Sequence, residues 1–349
     1  MRRTGITHTL AKLALSTGLT LGTLLLAGCT PRSPAIRAPV AIHAPATLGS
    51  GVLPTGFEVE PEDGVGALIR AVDRAQSTVY LEAYVLTHPR IIRALERASA
   101  QGVKVYVVLE HQSFGMGLQP EAVARQLRAA GIHVRWGRPG FRYTRAKFLL
   151  VDGSLAVIGT ANFSRAAFSR NREFLMFERD RRVVRDLQAI FVSDWDSTRL
   201  SLGDDNVVTA PDDARARLST LIARAHRSID IYAEEMADPL LEQKLAAAAK
   251  RGVRVRIIVP QSVPLANISS LLRARVAVRL LQQPYAHAKM ILVDGTRAFV
   301  GSENFSATSL DHDREVGLLI RGPTLSRIAA VFAVDWFRAV APHDSQQVR

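Results

Sequence analysis

One stretch of the chain occurs twice, 142 residues apart, and this duplication constrains the fold more than any other feature. The first copy reads Tyr143-Thr-Arg145-Ala-Lys147-Phe-Leu-Leu-Val-Asp152, followed by Gly159-Thr160-Ala-Asn162 and Glu173. The second reads Tyr285-Ala-His287-Ala-Lys289-Met-Ile-Leu-Val-Asp294, followed by Gly301-Ser302-Glu-Asn304 and Glu315. Hydrophobic periodicity does not hold five polar or glycine positions at one common offset, so the pattern marks an internal repeat that carries a site. One position breaks the symmetry: Arg145 stands where the second copy has His287.

The surrounding sequence follows one plan in each half. A helical stretch (64–75, 214–225) leads into an alternating strand, 78–84 or 228–234, and then an alanine- and leucine-rich helix, 89–100 or 239–251. Gly102 and Gly252 suit the C-terminal ends of those helices. The strands at 103–109 and 253–259 are dense in valine and isoleucine, as buried parallel strands are. Each half closes with a helix bearing Phe191-Val-Ser-Asp-Trp195 or Phe332-Ala-Val-Asp-Trp336, whose tryptophans are expected to anchor the core. Alternating strands and helices predict an α/β class, each half an α/β/α layered unit. Two such units packed about a pseudo-twofold axis would bring both motifs to one interface.

The first 29 residues read as a targeting segment to be set aside before fold reasoning. Arg2, Arg3 and Lys12 precede an apolar run of about 15 residues, short of the roughly 20 that a span needs. The run closes at Leu26-Ala27-Gly28-Cys29, which looks like a bacterial lipobox with Cys29 as the lipidated residue. Cys29 is also the only cysteine, so no intramolecular disulfide can form. Residues 30–56, rich in Pro, Ala and Gly, read as a flexible tether. The expected division continues with a first domain at 57–200, a linker at 201–213 and a second domain at 214–343. Past residue 29 the chain carries 42 basic against 32 acidic residues. That excess suits anionic lipid headgroups or nucleic acid, although a basic balance alone often marks only a solvated surface. With a lipid anchor the expectation is an extracytoplasmic, membrane-attached protein of the bacterial cell envelope, facing an anionic membrane surface.

His287 and Lys289 are expected to alternate along a strand and share a face. A lysine on an apolar strand is costly to bury unless it meets a charge. A nearby carboxylate would account for one such lysine, but Lys147 and Lys289 at equivalent positions point to a shared phosphoryl group. Gly159 and Gly301 suit a close backbone approach or a sharp turn. Asp152 and Asp294, each before a glycine, read as turn-forming and structural.

The doubled pattern H-x-K-x4-D-x6-G-x2-N resembles that of the phospholipase D superfamily. The second copy matches it throughout and the first everywhere but the histidine, and the resemblance runs from about Phe57 to Pro342. It implies two pseudo-twofold-related halves with mixed sheets and one shared active site, in a monomer with an internal pseudo-dimer. It also implies phosphodiester chemistry without metal or cofactor: one histidine attacks phosphorus, the other protonates the leaving oxygen, and water or an alcohol resolves the phosphohistidine. Asn162 and Asn304 would donate to the phosphate oxygens with Lys147 and Lys289, and the Thr160 and Ser302 hydroxyls would add to them. A glutamate from each motif would orient the histidine of the other half, matching Glu173 to His287 and Glu315 to Arg145.

Arginine is not deprotonated in a protein, so Arg145 is neither nucleophile nor general acid. It can add positive charge to the pocket or form a bidentate pair with Glu315. Three readings follow: His287 is the nucleophile and water protonates the leaving group; another histidine, with His111 best placed, stands in; or the chain binds phosphates and cleaves nothing. The function the resemblance implies is a phospholipase D-like phosphodiesterase of lipid metabolism, acting on phospholipid headgroups by hydrolysis or transphosphatidylation. Its alternatives are a cardiolipin synthase-type transferase, a nuclease, and a non-catalytic binder of anionic lipid. Cardiolipin synthases typically carry N-terminal membrane-spanning helices, and no aromatic-interleaved basic run points to single-strand stacking.

Overall fold

The computed structural model describes residues 47–342. The targeting segment, Cys29 and most of the tether lie outside the described residues, as does residue 343.

Seven strands of the first half form a sheet in the order Gly56–Glu60, Asn171–Glu178, Leu155–Gly159, Lys147–Val151, Thr78–Ala83, Lys104–Leu109, His133–Trp136. The second half repeats that order with Val207–Ala210, Glu315–Ile320, Arg297–Gly301, Lys289–Val293, Ser228–Ala233, Arg254–Pro260 and Ala277–Leu281. In each sheet the last three strands run parallel and the motif-bearing strands antiparallel, so both sheets are mixed. The two motif strands, Lys147–Val151 and Lys289–Val293, are buried along their whole length, which is why they read as continuous apolar runs after the lysine.

The helices Pro89–Ala100 and Pro239–Lys250 begin where expected, proline at the first helical position with the His88 or Asp238 side chain capping ahead of it. Two boundaries differ from expectation. The segment 201–213 is not a plain linker: Val207–Ala210 is a fully buried edge strand paired with Glu315–Ile320. Its flanking Gly203, Asp204, Asp205 and Pro211 gave it the composition of a loop, and its four residues are too few to show a period. The tether's last residues also belong to the fold. Val52 bridges Ile320 and the Gly51 N–H donates to Asn206 Oδ1 at 2.7 Å.

A single apolar cluster joins the halves, with Phe148, Leu150 and Phe191 from one and Tyr232, Met290, Leu292 and Phe332 from the other. Trp195 and Trp336 pack against it only partly buried, stacked on Phe191 and Phe332. Buried ion pairs cross the same interface twice. Arg172 Nε donates to Asp335 Oδ2 at 2.6 Å, and Arg314 Nε lies 2.9 Å from Asp194 Oδ2. Each arginine immediately precedes a motif glutamate, and each aspartate lies in the Asp-Trp of the other half's closing helix. Tyr232 Oη also donates to Asp335 at 2.7 Å. At the matching place on the first sheet stands Glu82, which is fully buried. Burial, with Asp194 beside it, pushes its carboxyl well above the ordinary range.

Candidate active site

The two motifs meet because each enters its own sheet by way of the other. Tyr285–Ala286 pairs in parallel with Asn171–Arg172 of the first sheet before the chain turns into Lys289–Val293 of the second. Reciprocally, Thr144 bridges Arg314, and the Arg145 N–H donates to the Arg314 carbonyl at 2.8 Å. His287 therefore lies in the gap between two strands that belong to different sheets, not on one continuous strand with Lys289 as expected. That crossing sets the glutamate of one half beside the motif residue of the other. His287 Nδ1 lies 2.7 Å from Glu173 Oε1, and Arg145 Nε 3.6 Å from Glu315 Oε1.

Glu173 is fully buried and held from three sides. Thr160 Oγ1 donates to its Oε2 at 2.6 Å, and Asn171 Nδ2 to its Oε1 at 3.2 Å beside His287. With the Nδ1 proton committed to this carboxylate, Nε2 is the ring nitrogen left to face a ligand. The Lys289 ammonium lies 3.4 and 3.5 Å from the two ring nitrogens and donates to the His287 carbonyl at 2.6 Å. Asn162 Nδ2 reaches within 3.5 Å of His287 Nε2. Lys147 is buried and donates to the Arg145 carbonyl at 2.8 Å. Burial, helped by Lys289 and Arg145, pulls its amine down to about 8.

Of the two roles open to Arg145, the bidentate pair with Glu315 does not form. It sits between Asp313, at 3.7 Å, and Glu315, and its Nε is buried with no hydrogen-bond partner. Its guanidinium lies 4.9 Å over the Tyr84 ring. Burial works against its charge, yet Glu315 and Glu234 hold its pKa above the ordinary arginine value. Burial pushes Asp313 up to about 7, with Glu315 adding to the shift.

Thr160 and Ser302, expected as added phosphate donors, bind protein groups in this structure. The Thr160 hydroxyl is committed to Glu173 and accepts from the Phe174 N–H, and Ser302 exchanges hydrogen bonds with the Val316 backbone. The glycines provide clearance: a Cβ on Gly159 would sit 2.0 Å from the Phe174 carbonyl, and one on Gly301 2.6 Å from the Gly317 Cα. Asp152 and Asp294 adopt left-handed backbone at φ 51° and 53°. Their carboxylates collect the backbone N–H groups of residues 76–78 and 226–228, where the next strand begins. His111 is outside the site: it lies against Trp136, and its Nε2 is 3.1 Å from Glu121.

One site residue had no motif to reveal it. Glu234 follows the strand Ser228–Ala233 and corresponds to Tyr84 on the first sheet. Its Oε2 accepts from Lys289 Nζ and lies 3.5 Å from His287 Nε2. With its amide oriented to suit its neighbours, Asn304 donates to the same oxygen at 3.3 Å and accepts from Arg145 Nη2 at 3.1 Å. Burial opposes the Glu234 charge, but His287, Lys289 and Arg145 pull its carboxyl far below the ordinary range. The available signal was its place at the end of a central strand, where α/β sheets set their ligands.

One lysine, one asparagine and one glutamate from each half, gathered with the single motif histidine of the second, point to the family. The chain belongs to the phospholipase D superfamily. The family described as "Cardiolipin synthase, PLD-like domain" matches residues 68–195 and 218–336, well over half the chain. The cardiolipin synthase of Geobacillus kaustophilus is 25% identical over 310 residues, covering 74% of this chain and 61% of that protein. This phospholipase D-superfamily chain thus spans about three fifths of that relative's length. Its fold resembles that of a polyphosphate kinase from Porphyromonas gingivalis, with TM-score 0.66, 18% identity, and 83% of this chain and 50% of that one covered. It also resembles the phosphatidylserine synthase of Haemophilus influenzae, with TM-score 0.64, 14% identity, and 84% and 88% covered.

Proposed function

We propose that the protein transfers phosphatidyl groups between alcohols, breaking and remaking a phospholipid phosphodiester in the manner of a cardiolipin synthase. The observation that carries this is the Glu173–His287 pair across the halves, beside both motif lysines. His287 Nε2 attacks phosphorus, the phosphorus–oxygen bond to the headgroup breaks, and the departing oxygen takes its proton from water. The hydroxyl of a second lipid, phosphatidylglycerol or a related one, then attacks the phosphohistidine, its proton passes to the hydroxide left by that water, and the phosphorus–Nε2 bond breaks to release His287. Lys147, Lys289 and Asn162 stabilise the charge on the five-coordinate phosphorus, with Arg145 adding a fixed cation. Water in place of the lipid alcohol gives headgroup hydrolysis. The names of the relatives favour transfer over the hydrolysis that motif reading alone put first.

A lipid substrate also suits the rim of the site. The loop after Leu109 exposes Phe114 by 88% and Leu118 by 76%. Its base is tied to Tyr84, under Arg145, by Ser113 Oγ donating to the Tyr84 carbonyl at 2.5 Å and the Phe114 N–H to Tyr84 Oη at 2.8 Å. Apolar tips beside a cationic pocket fit a lipid interface better than a nucleic-acid backbone. No described helix is long and apolar enough to cross a membrane. Attachment at the outer face of the membrane through Cys29 completes the proposal, and Cys29→Ser should leave the protein unanchored.

The test is turnover of phosphatidylglycerol vesicles by the purified protein, scored for cardiolipin with glycerol against phosphatidic acid. His287→Ala should abolish both products. Arg145→His places a proton donor beside Glu315, so release of an alkyl headgroup should rise by about 100-fold or more. A nitrophenyl phosphodiester, whose leaving group needs little protonation, should gain much less. Anionic-lipid binding with no cleavage of either ester would replace the catalytic reading with a binding one.

A further inference from the structure

We infer that Glu234 is an anion built into the phosphate cradle, and that it makes the site select singly charged phosphodiesters over doubly charged phosphomonoesters and inorganic phosphate. The ligand class rests on the phosphodiester reading above. Three groups converge on Glu234 Oε2: Lys289 Nζ, His287 Nε2 at 3.5 Å and the Asn304 amide at 3.3 Å. Lysine, asparagine and histidine are the groups a phosphoryl oxygen takes up in this site, so the carboxylate oxygen holds the place of that oxygen.

The first half has no such anion. At the equivalent position the neutral Tyr84 ring lies 4.9 Å from the Arg145 guanidinium and 5.7 Å from Lys147 Nζ. Carboxylates of the other half, Asp313 at 3.7 Å and Glu315 at 3.6 Å, stand near Arg145, but none occupies the Tyr84 position that Glu234 fills on the His287 side. The Glu234 side chain is about a fifth exposed, so it has room to swing off Lys289 when a ligand enters. It stays in the pocket when it does so, because its strand end is fixed by pairing on both sides. A like charge held in the pocket penalises every further negative charge on the ligand, by at least about tenfold in affinity in a partly shielded site. A phosphodiester carries one such charge, whereas a monoester or inorganic phosphate carries close to two above neutrality. The lipid product of hydrolysis is a monoester, so the same carboxylate would drive it out of the site.

The experiment compares wild type, Glu234→Gln and Glu234→Asp for binding of dimethyl phosphate and of inorganic phosphate at pH 8, by ³¹P NMR titration. Unfolding midpoints establish that the variants fold. Wild type should prefer dimethyl phosphate. Glu234→Gln should move the ratio toward inorganic phosphate by about tenfold or more, and Glu234→Asp should keep the wild-type ratio. An unchanged ratio in folded Glu234→Gln overturns the inference, and so does binding of neither anion by that variant. If wild type meanwhile makes cardiolipin or phosphatidic acid, the catalytic reading survives that failure. A shifted ratio with no turnover of any phosphodiester supports the cradle and removes the catalytic reading instead.

Discussion

Arg172 holds Asp335 across the interface between the halves, Nε to Oδ2 at 2.6 Å, one residue before the glutamate that orients His287. Both side chains are essentially fully buried, and Arg172 also binds the Glu60 carbonyl at 2.7 Å and Glu62 at 2.5 Å. The pair therefore ties docking of the halves to the geometry of the site.

Asp335→Asn leaves the buried guanidinium short of its counter-charge, and loss of one partner of such a pair costs about 3–5 kcal/mol. Chemical denaturation should show that loss. Asp73→Asn, which breaks the exposed pair with Arg97, should cost at most about 1 kcal/mol. Comparable losses from the two variants would mean that the interface pair is not what holds the halves.

Glu82 gives stability a pH dependence of a definite sign. Its folded pKa is raised above the unfolded value, so its contribution is complete below the ordinary carboxylate range and declines as pH rises toward the raised value. Glu82→Gln keeps the size of the side chain and does not titrate. The melting temperature of the variant should gain on wild type steadily between about pH 5 and pH 8. A constant difference over that range would show that Glu82 is already ionised in the fold.

Glu173 and Glu315 are equivalent in sequence but not in duty, because one faces a histidine and the other an arginine. Glu173→Gln loses the carboxylate that fixes the His287 tautomer, and turnover should fall by about 10²- to 10⁴-fold with little change in KM. Glu315→Gln touches no proton-transferring group and should cost at least about tenfold less. Steady-state kinetics giving equal losses would refute the assignment of His287 as the reacting group.

Lys147, at about 8, is charged below that pH and neutral above it. A bound phosphodiester favours the charged form, so affinity should fall as pH rises through 8, by up to about tenfold per pH unit. Lys147→Arg should flatten that profile between about pH 7 and 9.5, since arginine stays charged. Wild-type affinity that is level across this range would place Lys147 outside the phosphate cradle.

The sequence by itself determined the doubling, the α/β class, the parallel strands read at 103–109 and 253–259, and the structural duty of Asp152 and Asp294. Those properties are local: they follow from period, from turn chemistry before glycine, and from one register repeated. The resemblance implied the pairing of Glu173 with His287 and Glu315 with Arg145, but the sequence alone did not establish that crossing, which the structure shows. Only the tertiary structure decided why those partners meet. The cause is that Tyr285–Ala286 and Thr144 pair with the opposite sheet, a long-range choice that no local pattern encodes. The strand Val207–Ala210 was hidden because four residues in loop-like company carry no period, and its place is fixed only by the open edge of Glu315–Ile320. The Thr160 and Ser302 hydroxyls engage protein acceptors that folding brings near them, Glu173 and the Val316 backbone. Glu234 escaped notice because its partner in the repeat is a tyrosine. Its role comes from an ammonium, an imidazole and an amide that only folding gathers around one carboxylate oxygen.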